Sequence, residues 1–211
     1  IKVIGVRFKK AGKIYYFDPA DLDIKKYNSN AIDSQNSLFS TATGIKEDVF
    51  TRIYANEYTI DDGDLSTNNV ESGKFSYKTS GKDKVATIKY IADKKGEYYA
   101  FVNVRDDSKR ATVKSKSINH TYDVDSKRYL MPIGYYDNGD EIEFNIKLTE
   151  RTNGSFEIFV AHFDEETFAK GYELLNDEPM NVTYYDDTTV QGTITAKEDT
   201  LLYTSIPYED G

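Results

Sequence analysis

The segment from Glu141 to Thr149 constrains this chain more tightly than any other. Ile142, Phe144, Ile146 and Leu148 fall on one side of an extended backbone, and Glu141, Glu143, Asn145 and Lys147 on the other. Neighbouring side chains on a strand point to opposite faces, so alternation sustained over eight residues describes a sheet strand with one buried and one wet face. Similar runs occur at Val85–Ile91, Tyr98–Arg105, Arg110–Ile118 and Phe156–Ala161, and Val49–Ile60 also reads as extended. Turn-forming clusters separate them: Ser80-Gly81-Lys82-Asp83, Lys94-Lys95-Gly96, Asp106-Asp107-Ser108, Asp137-Asn138-Gly139-Asp140 and Asn153-Gly154. Asn-Gly supplies the positive φ of tight hairpins, so these clusters read as hairpin turns. Many short strands at this spacing predict a mainly β chain, an antiparallel β-sandwich of jelly-roll-like form.

Two helices interrupt the β pattern. A short N-terminal helix is expected around Asp33–Phe39, with Asp33 accepting first-turn N–H groups, Leu38, Phe39 and Ala42 on one face, and Gly44 ending the element. The second spans 164–175. Asp164 is its N-cap, Glu165 and Glu166 complement the positive helix end, and Phe163 with Phe168 matches a hydrophobic staple. Phe168, Tyr172 and Leu175 form its apolar face, and Gly171 permits close packing, which is expected to be against a sheet. Three further extended runs come after it, at Asn181–Tyr185, Thr188–Ala196 and Thr200–Ile206.

The bulk chemistry narrows the function classes. The chain has 211 residues, enough for one sizeable core, and 18 Tyr and 11 Phe raise its aromatic content to 14%, which argues against disorder. A net charge of −9 makes it a poor ligand for nucleic acid or an anionic membrane surface, both of which reward clustered Lys and Arg. A neutral sugar ligand remains compatible. With no Cys, disulfides and thiolate metal sites are excluded. No apolar run approaches the ~20 residues that cross a bilayer.

Residues 1–28 differ in character. Ile1–Phe8 and Ile14–Phe17 flank the turn Lys9-Lys10-Ala11-Gly12-Lys13, and Pro19 stops the second run, so this segment reads as a basic β-hairpin. Gly5-Val6-Arg7-Phe8, Lys10 to Pro19 and Asp21-Leu22 resemble the opening of RicT-like (PSP-one-type) bacterial proteins, over about 25 residues and short of that family's functional region. Ser29-Asn30-Ala31 matches the scar left by a tag-removal protease, which sets an expected junction near 28–31. Residues 1–28 are accordingly expected to be a hairpin appendage of fusion or tag origin, and 31–211 the main domain.

Three blocks within 31–211 resemble the soluble region of the YfhO family of bacterial membrane proteins. They are Asp33 to Phe39 with Thr43-Gly44 and Asp48-Val49-Phe50; Phe163 to Glu166 with Phe168, Tyr172 and Leu175; and Val190 to Ile194 with Leu202 to Gly211. The resemblance implies a multi-pass parent with a GT-C-type glycosyltransferase membrane core. That core would transfer sugar from a lipid-linked donor to lipoteichoic acid or a related envelope polymer of a Gram-positive bacterium. The present domain would be a non-catalytic acceptor-binding or scaffolding module on the extracellular face of the cytoplasmic membrane. Its partners would be the membrane core of the same protein and the glycosylated polymer, with no nucleic acid and no cofactor. The sequence departs from the family pattern in carrying no membrane helix and in stopping at Gly211, where the family continues with Trp and further strands. A C-terminally truncated sheet and absence of transferase activity are therefore expected. The alternative is a stand-alone lectin-like or glycosidase domain of the bacterial surface.

No motif singles out a reactive centre. His120 and His162 stand 42 positions apart, unlike zinc ligands. There is no Gly-rich phosphate loop and no Gly-x-Ser-x-Gly elbow. Glycoside hydrolysis needs two carboxylates across a cleft, and Glu141 and Glu143 read instead as a solvated strand face. Asp61, Asp62 and Asp64 offer calcium hard oxygen ligands but lack EF-hand spacing and a terminal Glu, so a polar loop is the better reading. Of the Tyr pairs 98–99, 135–136 and 184–185, one member each should lie outside or at a rim, where a Tyr can stack on a sugar ring. Tyr135, Tyr136 and Asp137 are the candidate carbohydrate-binding residues.

Overall fold

The computed structural model describes residues 7–10, 13–16, 30–104, 110–114, 119–123, 130–175, 180–186 and 189–195. The expected turn at 106–108, the expected strand at Thr200–Ile206 and the block ending at Gly211 lie outside these residues. Near the N-terminus β1 (Arg7–Lys10) and β2 (Lys13–Tyr16) pair antiparallel, with Lys10 opposite Lys13.

Two antiparallel sheets form the body. The first has the order β10 (Asn119–Asp123), β9 (Arg110–Lys114), β12 (Glu141–Leu148), β7 (Lys84–Ile91), β4 (Glu57–Ile60). The second has the order β11 (Met131–Tyr136), β8 (Gly96–Val104), β13 (Asn153–Phe163), β6 (Lys74–Thr79), β5 (Gly63–Ser66), and β3 (Phe50–Ile53) adds to the C-terminal half of β13. Between β6 and β13 the chain alternates from one sheet to the other, with β9 and β10 as one hairpin. The last strand closes between β6 and β8. This winding is that of a jelly roll, as expected.

The inward faces supply one core. Ile142, Phe144, Ile146 and Leu148 meet Phe75, Tyr77, Ala100, Val102, Phe156 and Ile158 from the opposite sheet, and all are buried. Aromatic rings lock the layer edge to face: Tyr90 on Phe144 at 5.9 Å, and Tyr98 on Tyr136 at 5.6 Å. Burial drives the Tyr90 hydroxyl far above the usual phenol range.

Several clusters read as hairpin turns do something else. Asp137 to Asp140 reverses the chain, with Gly139 at φ 90° and the Asp140 N–H donating to the Asp137 carbonyl at 3.1 Å. It joins β11 to β12, which lie in different sheets, so it is an arch between layers. Lys94-Lys95-Gly96 likewise leads from β7 to β8 across the sandwich. Asn153-Gly154 is no turn: both residues belong to β13, opposite Lys78 and Tyr77. A local signal specifies a change of direction, while the partner strand is chosen by the core.

Helix α1 (Ala31–Thr43) is longer than expected and starts from Asn30. The Asn30 side chain accepts from the Asp33 N–H at 2.8 Å, and its amide donates to the Asp33 carboxylate at 2.6 Å. Asp33 is thus the reciprocal third-position partner of the cap, not the cap itself. Gly44, at φ 75°, ends the helix as expected. Asn36 pairs with both backbone groups of Phe50, donating to its carbonyl at 2.9 Å and accepting from its N–H at 2.8 Å. Its amide extends the ladder beyond β3 and ties α1 to the sheet.

Helix α2 (Glu165–Leu175) is capped as expected, the Thr167 N–H donating to Asp164 at 2.9 Å, and the Phe163–Phe168 staple forms at 5.4 Å. Its expected apolar face is not its buried one. Thr167 and Gly171 are buried, whereas Phe168, Tyr172 and Leu175 are exposed. Gly171 faces a helix rather than a sheet: a Cβ there would lie 2.3 Å from the Phe39 ring of α1.

Truncating Phe144 to Ala removes a fully buried ring and is expected to lower stability by about 3–5 kcal/mol, read from urea unfolding. Asp164→Ala removes the α2 cap and should cost about 1 kcal/mol at neutral pH. The Thr167 N–H holds the Asp164 carboxyl below its ordinary value. The stability it adds is therefore complete above about pH 4 and lost as pH falls through the lowered value. Unfolding curves of the variant should lack that acid-side component.

Candidate functional site

The outer face of the six-stranded sheet changes character along its length. On β13, Phe159, Ala161 and Phe163 point outward in the C-terminal half, but Ser155 and Glu157 do so in the N-terminal half. On neighbouring β8 the outward sequence is Tyr99, Phe101 and then Asn103. The apolar half gathers Phe101, Phe159 and Ala161 under Ile32 and Phe39 of α1, with Phe50 beside them. Where α1 ends its cover, the polar half stays open.

That open half is the floor of a groove of about 540 Å³. Register sets its pattern. Ser66 lies opposite Ser76, and Ser76 opposite Ser155, making a row of hydroxyls across three strands. Two residues further along, Lys74 lies opposite Glu157, and Glu157 opposite Asn103. The Lys74 ammonium is 3.4 Å from one Glu157 oxygen, and the Asn103 amide donates to the other at 3.2 Å. Phe156 also borders the groove, but its ring faces the core and is only 2% exposed.

The segment Thr67–Ser72 forms the wall. Thr67 Oγ1 donates to the Asn69 carbonyl at 2.9 Å, Asn69 Oδ1 accepts from the Glu71 N–H at 2.9 Å, and Ser72 Oγ donates to the Asn69 carbonyl at 2.6 Å. Gly73 comes next at φ 64°, and a Cβ there would sit 2.6 Å from the Ile158 carbonyl. Only Gly lets the wall turn this close to β13. Arg52 fastens the wall from behind. Its guanidinium lies 4.3 Å from the centre of the Phe159 ring, donates to the Glu71 carbonyl, and approaches Asp33 of α1 to 4.0 Å.

The residues singled out in the sequence lie elsewhere. Tyr135 is 52% exposed, but Tyr136 is inside the core with its hydroxyl donating to the Ile133 carbonyl at 2.7 Å, so its ring faces no solvent. Asp137 pairs with Lys95 at 3.0 Å, which raises the Lys95 pKa. Asp61 and Asp62 form the turn between β4 and β5, and Asp64 is in β5 opposite Lys78. Asp62 is held by the Lys84 ammonium, which lowers its pKa. Among the described residues no three His, Asp or Glu side chains converge as metal ligands. Glu141 pairs with Lys89 at 3.5 Å, and Glu143 accepts from Asn145 at 2.7 Å. His162 is buried against Tyr98, whose hydroxyl pKa burial pushes up to about 12. Among the described residues the groove contains one carboxylate, Glu157, where hydrolysis of a glycoside needs two. None of its residues carries a motif. The one legible trace is the shift from aromatic to polar at alternate positions of β8 and β13.

Fold and groove together define a jelly-roll domain with an open site of hydroxyl, amide and paired charged groups. The chain belongs to the YfhO family of bacterial membrane proteins, whose family model, described as "Bacterial membrane protein YfhO", matches residues 6–211. That match includes most of the segment 1–28. No curated protein sequence matches the chain. Among solved structures it is similar to a family 35 carbohydrate binding module from Clostridium thermocellum, at 10% identity and TM-score 0.35 over 55% of this chain and 98% of that one. It is similar also to the C-terminal CBM6 of LamC from Zobellia galactanivorans, at 11% identity and TM-score 0.35 over 55% and 99%. A third is the low-affinity xylan binding module CBM86 from Roseburia intestinalis, at 12% identity and TM-score 0.29 over 57% and 93%. Superpositions this loose identify neither ligand nor mechanism. Among the described residues no helix is long and apolar enough to cross a membrane.

If Arg52 fastens the wall, Arg52→Ala should speed hydrogen exchange at the Ser72 and Gly73 amides, which donate to Asn69 and Val70, and leave β12 amides protected. Equal exchange at 72 and 73 in both proteins would show the wall to be held without it.

Proposed function

We propose that this chain is a non-catalytic extracellular domain of a YfhO-family membrane protein that holds the acceptor polymer for glycosylation by the membrane core of the same protein. The polymer is lipoteichoic acid or a related envelope polymer, at the outer face of the cytoplasmic membrane. The observation that carries this reading is the open groove of hydroxyl and amide side chains on the second sheet. Such groups exchange hydrogen bonds with water at little net gain, so they suit a ligand that is itself polyhydroxylated and must be released after reaction. The net charge of −9 disfavours nucleic acid as a partner. A single acid among the described groove residues favours binding over the glycosidase alternative.

Scaffolding on the membrane core is a second reading, favoured by the exposed Phe168, Tyr172, Leu174 and Leu175 of α2. Titrating the isotope-labelled chain with glycosylated and unmodified teichoic-acid fragments separates the two. Acceptor binding predicts amide shifts at millimolar fragment. A spectrum that does not move leaves the scaffold.

A further inference from the structure

The chemistry of the groove selects among the parts of such an acceptor, an inference that rests on the acceptor-binding reading. An acceptor of this class that already carries some sugar offers two kinds of group, neutral sugar hydroxyls and phosphodiester anions. A phosphate site collects unpaired cations or several convergent N–H groups. Among the described residues the floor holds one cation, Lys74, and its charge is countered by Glu157 at 3.4 Å. The carboxylate faces the same groove, and the rest of the floor and wall are Ser, Thr and Asn, apart from the inward-facing Phe156. An incoming phosphodiester would meet that carboxylate and the field of an acidic domain.

A sugar ring finds the opposite. Adjacent strands stand about 4.8 Å apart and alternate residues about 7 Å apart along a strand, so the two rows form a grid on the scale of a pyranose ring. The Ser76 and Ser155 hydroxyls engage no other described residue, while Ser66 makes only a long contact, 3.5 Å, with the Ser76 carbonyl. Glu157 can accept from ligand hydroxyls on lone pairs that Lys74 and Asn103 leave open. The volume of about 540 Å³ lies within the range of about 300–1,000 Å³ typical of small-ligand sites.

We propose that this groove binds the uncharged sugar residues of a glycan through the Ser66, Ser76 and Ser155 row together with Asn103 and Glu157, and does not bind the phosphate backbone. With no aromatic face on the floor, recognition is by hydrogen bonds alone and is weak and insensitive to salt.

The test is a titration of the labelled full chain with three sets of probes: the neutral disaccharides gentiobiose, galactobiose and chitobiose; a sugar-free glycerol-phosphate oligomer; and that oligomer carrying sugar. At least one disaccharide and the glycosylated oligomer should shift amides at 66, 74, 76, 103, 155 and 157, with the disaccharide's affinity unchanged by added salt and the oligomer's not weakened by it. The sugar-free oligomer should leave those amides in place. Ser76→Val with Ser155→Val keeps strand-forming residues on the sheet and should weaken sugar binding at least about tenfold without altering the melting temperature. Glu157→Gln leaves Lys74 without its counter-charge and removes the repelling carboxylate, so it should weaken sugar binding and increase groove shifts with the sugar-free oligomer. In the unsubstituted chain, groove shifts with the sugar-free oligomer that fade with salt would overturn the proposal. So would shifts from the glycosylated oligomer that map elsewhere, as around Tyr135, although acceptor binding would then stand. If no probe moves any amide, both readings fail.

Discussion

Burial of β13 on both faces organises the molecule. From Ile158 to Ala161 four successive residues are buried, two against the opposite sheet and two beneath α1. Strict alternation cannot describe a strand covered on both sides. Its neighbours are arranged accordingly. β8 and β6 pair along its flanks, β3 adds to its C-terminal half, and α1 exists as a packed helix because Phe101, Phe159 and Ala161 need a cover. A helix of this length would be marginal alone.

The groove is the complement of that cover. The same two strands present aromatic rings outward beneath the helix and hydroxyl, amide and paired charged groups beyond it. No additional domain is needed to make a site: the helix stops, the polar face continues, and Thr67–Ser72 rises at its edge. Arg52 stands at the boundary, stacked on the last covered aromatic, Phe159, and bonded to the wall. Stability and site geometry therefore share residues at this line but separate on either side of it.

Acidity and pairing tune the surface. Lys74, Lys84, Lys89 and Lys95 each sit within ion-pair distance of a carboxylate. Exposed pairs of this kind add little stability. Their consequence here is electrostatic: each pairing offsets one cation on a chain of net charge −9, so an anionic ligand gains little by approaching these lysines.

Elements with local causes were legible from the residues alone. Alternation at Glu141–Thr149 specified β12, Gly44 specified the end of α1, and Asp164 with the Phe163–Phe168 pair specified the start of α2, because caps, turns and pleat periodicity act within a few residues. Membership of the YfhO family was also legible from the residues alone. Other features arose only when distant segments packed together. Packing turned Asp137–Asp140 into an arch between sheets, drew Asn153-Gly154 into a strand, set Gly171 against Phe39, and put Tyr136 inside with Tyr135 outside. It also assembled the groove, since Ser66, Ser76, Asn103 and Ser155 come from four strands and meet only through register. Pairing between distant strands is chosen by burial of the whole core, a property no local window of sequence contains.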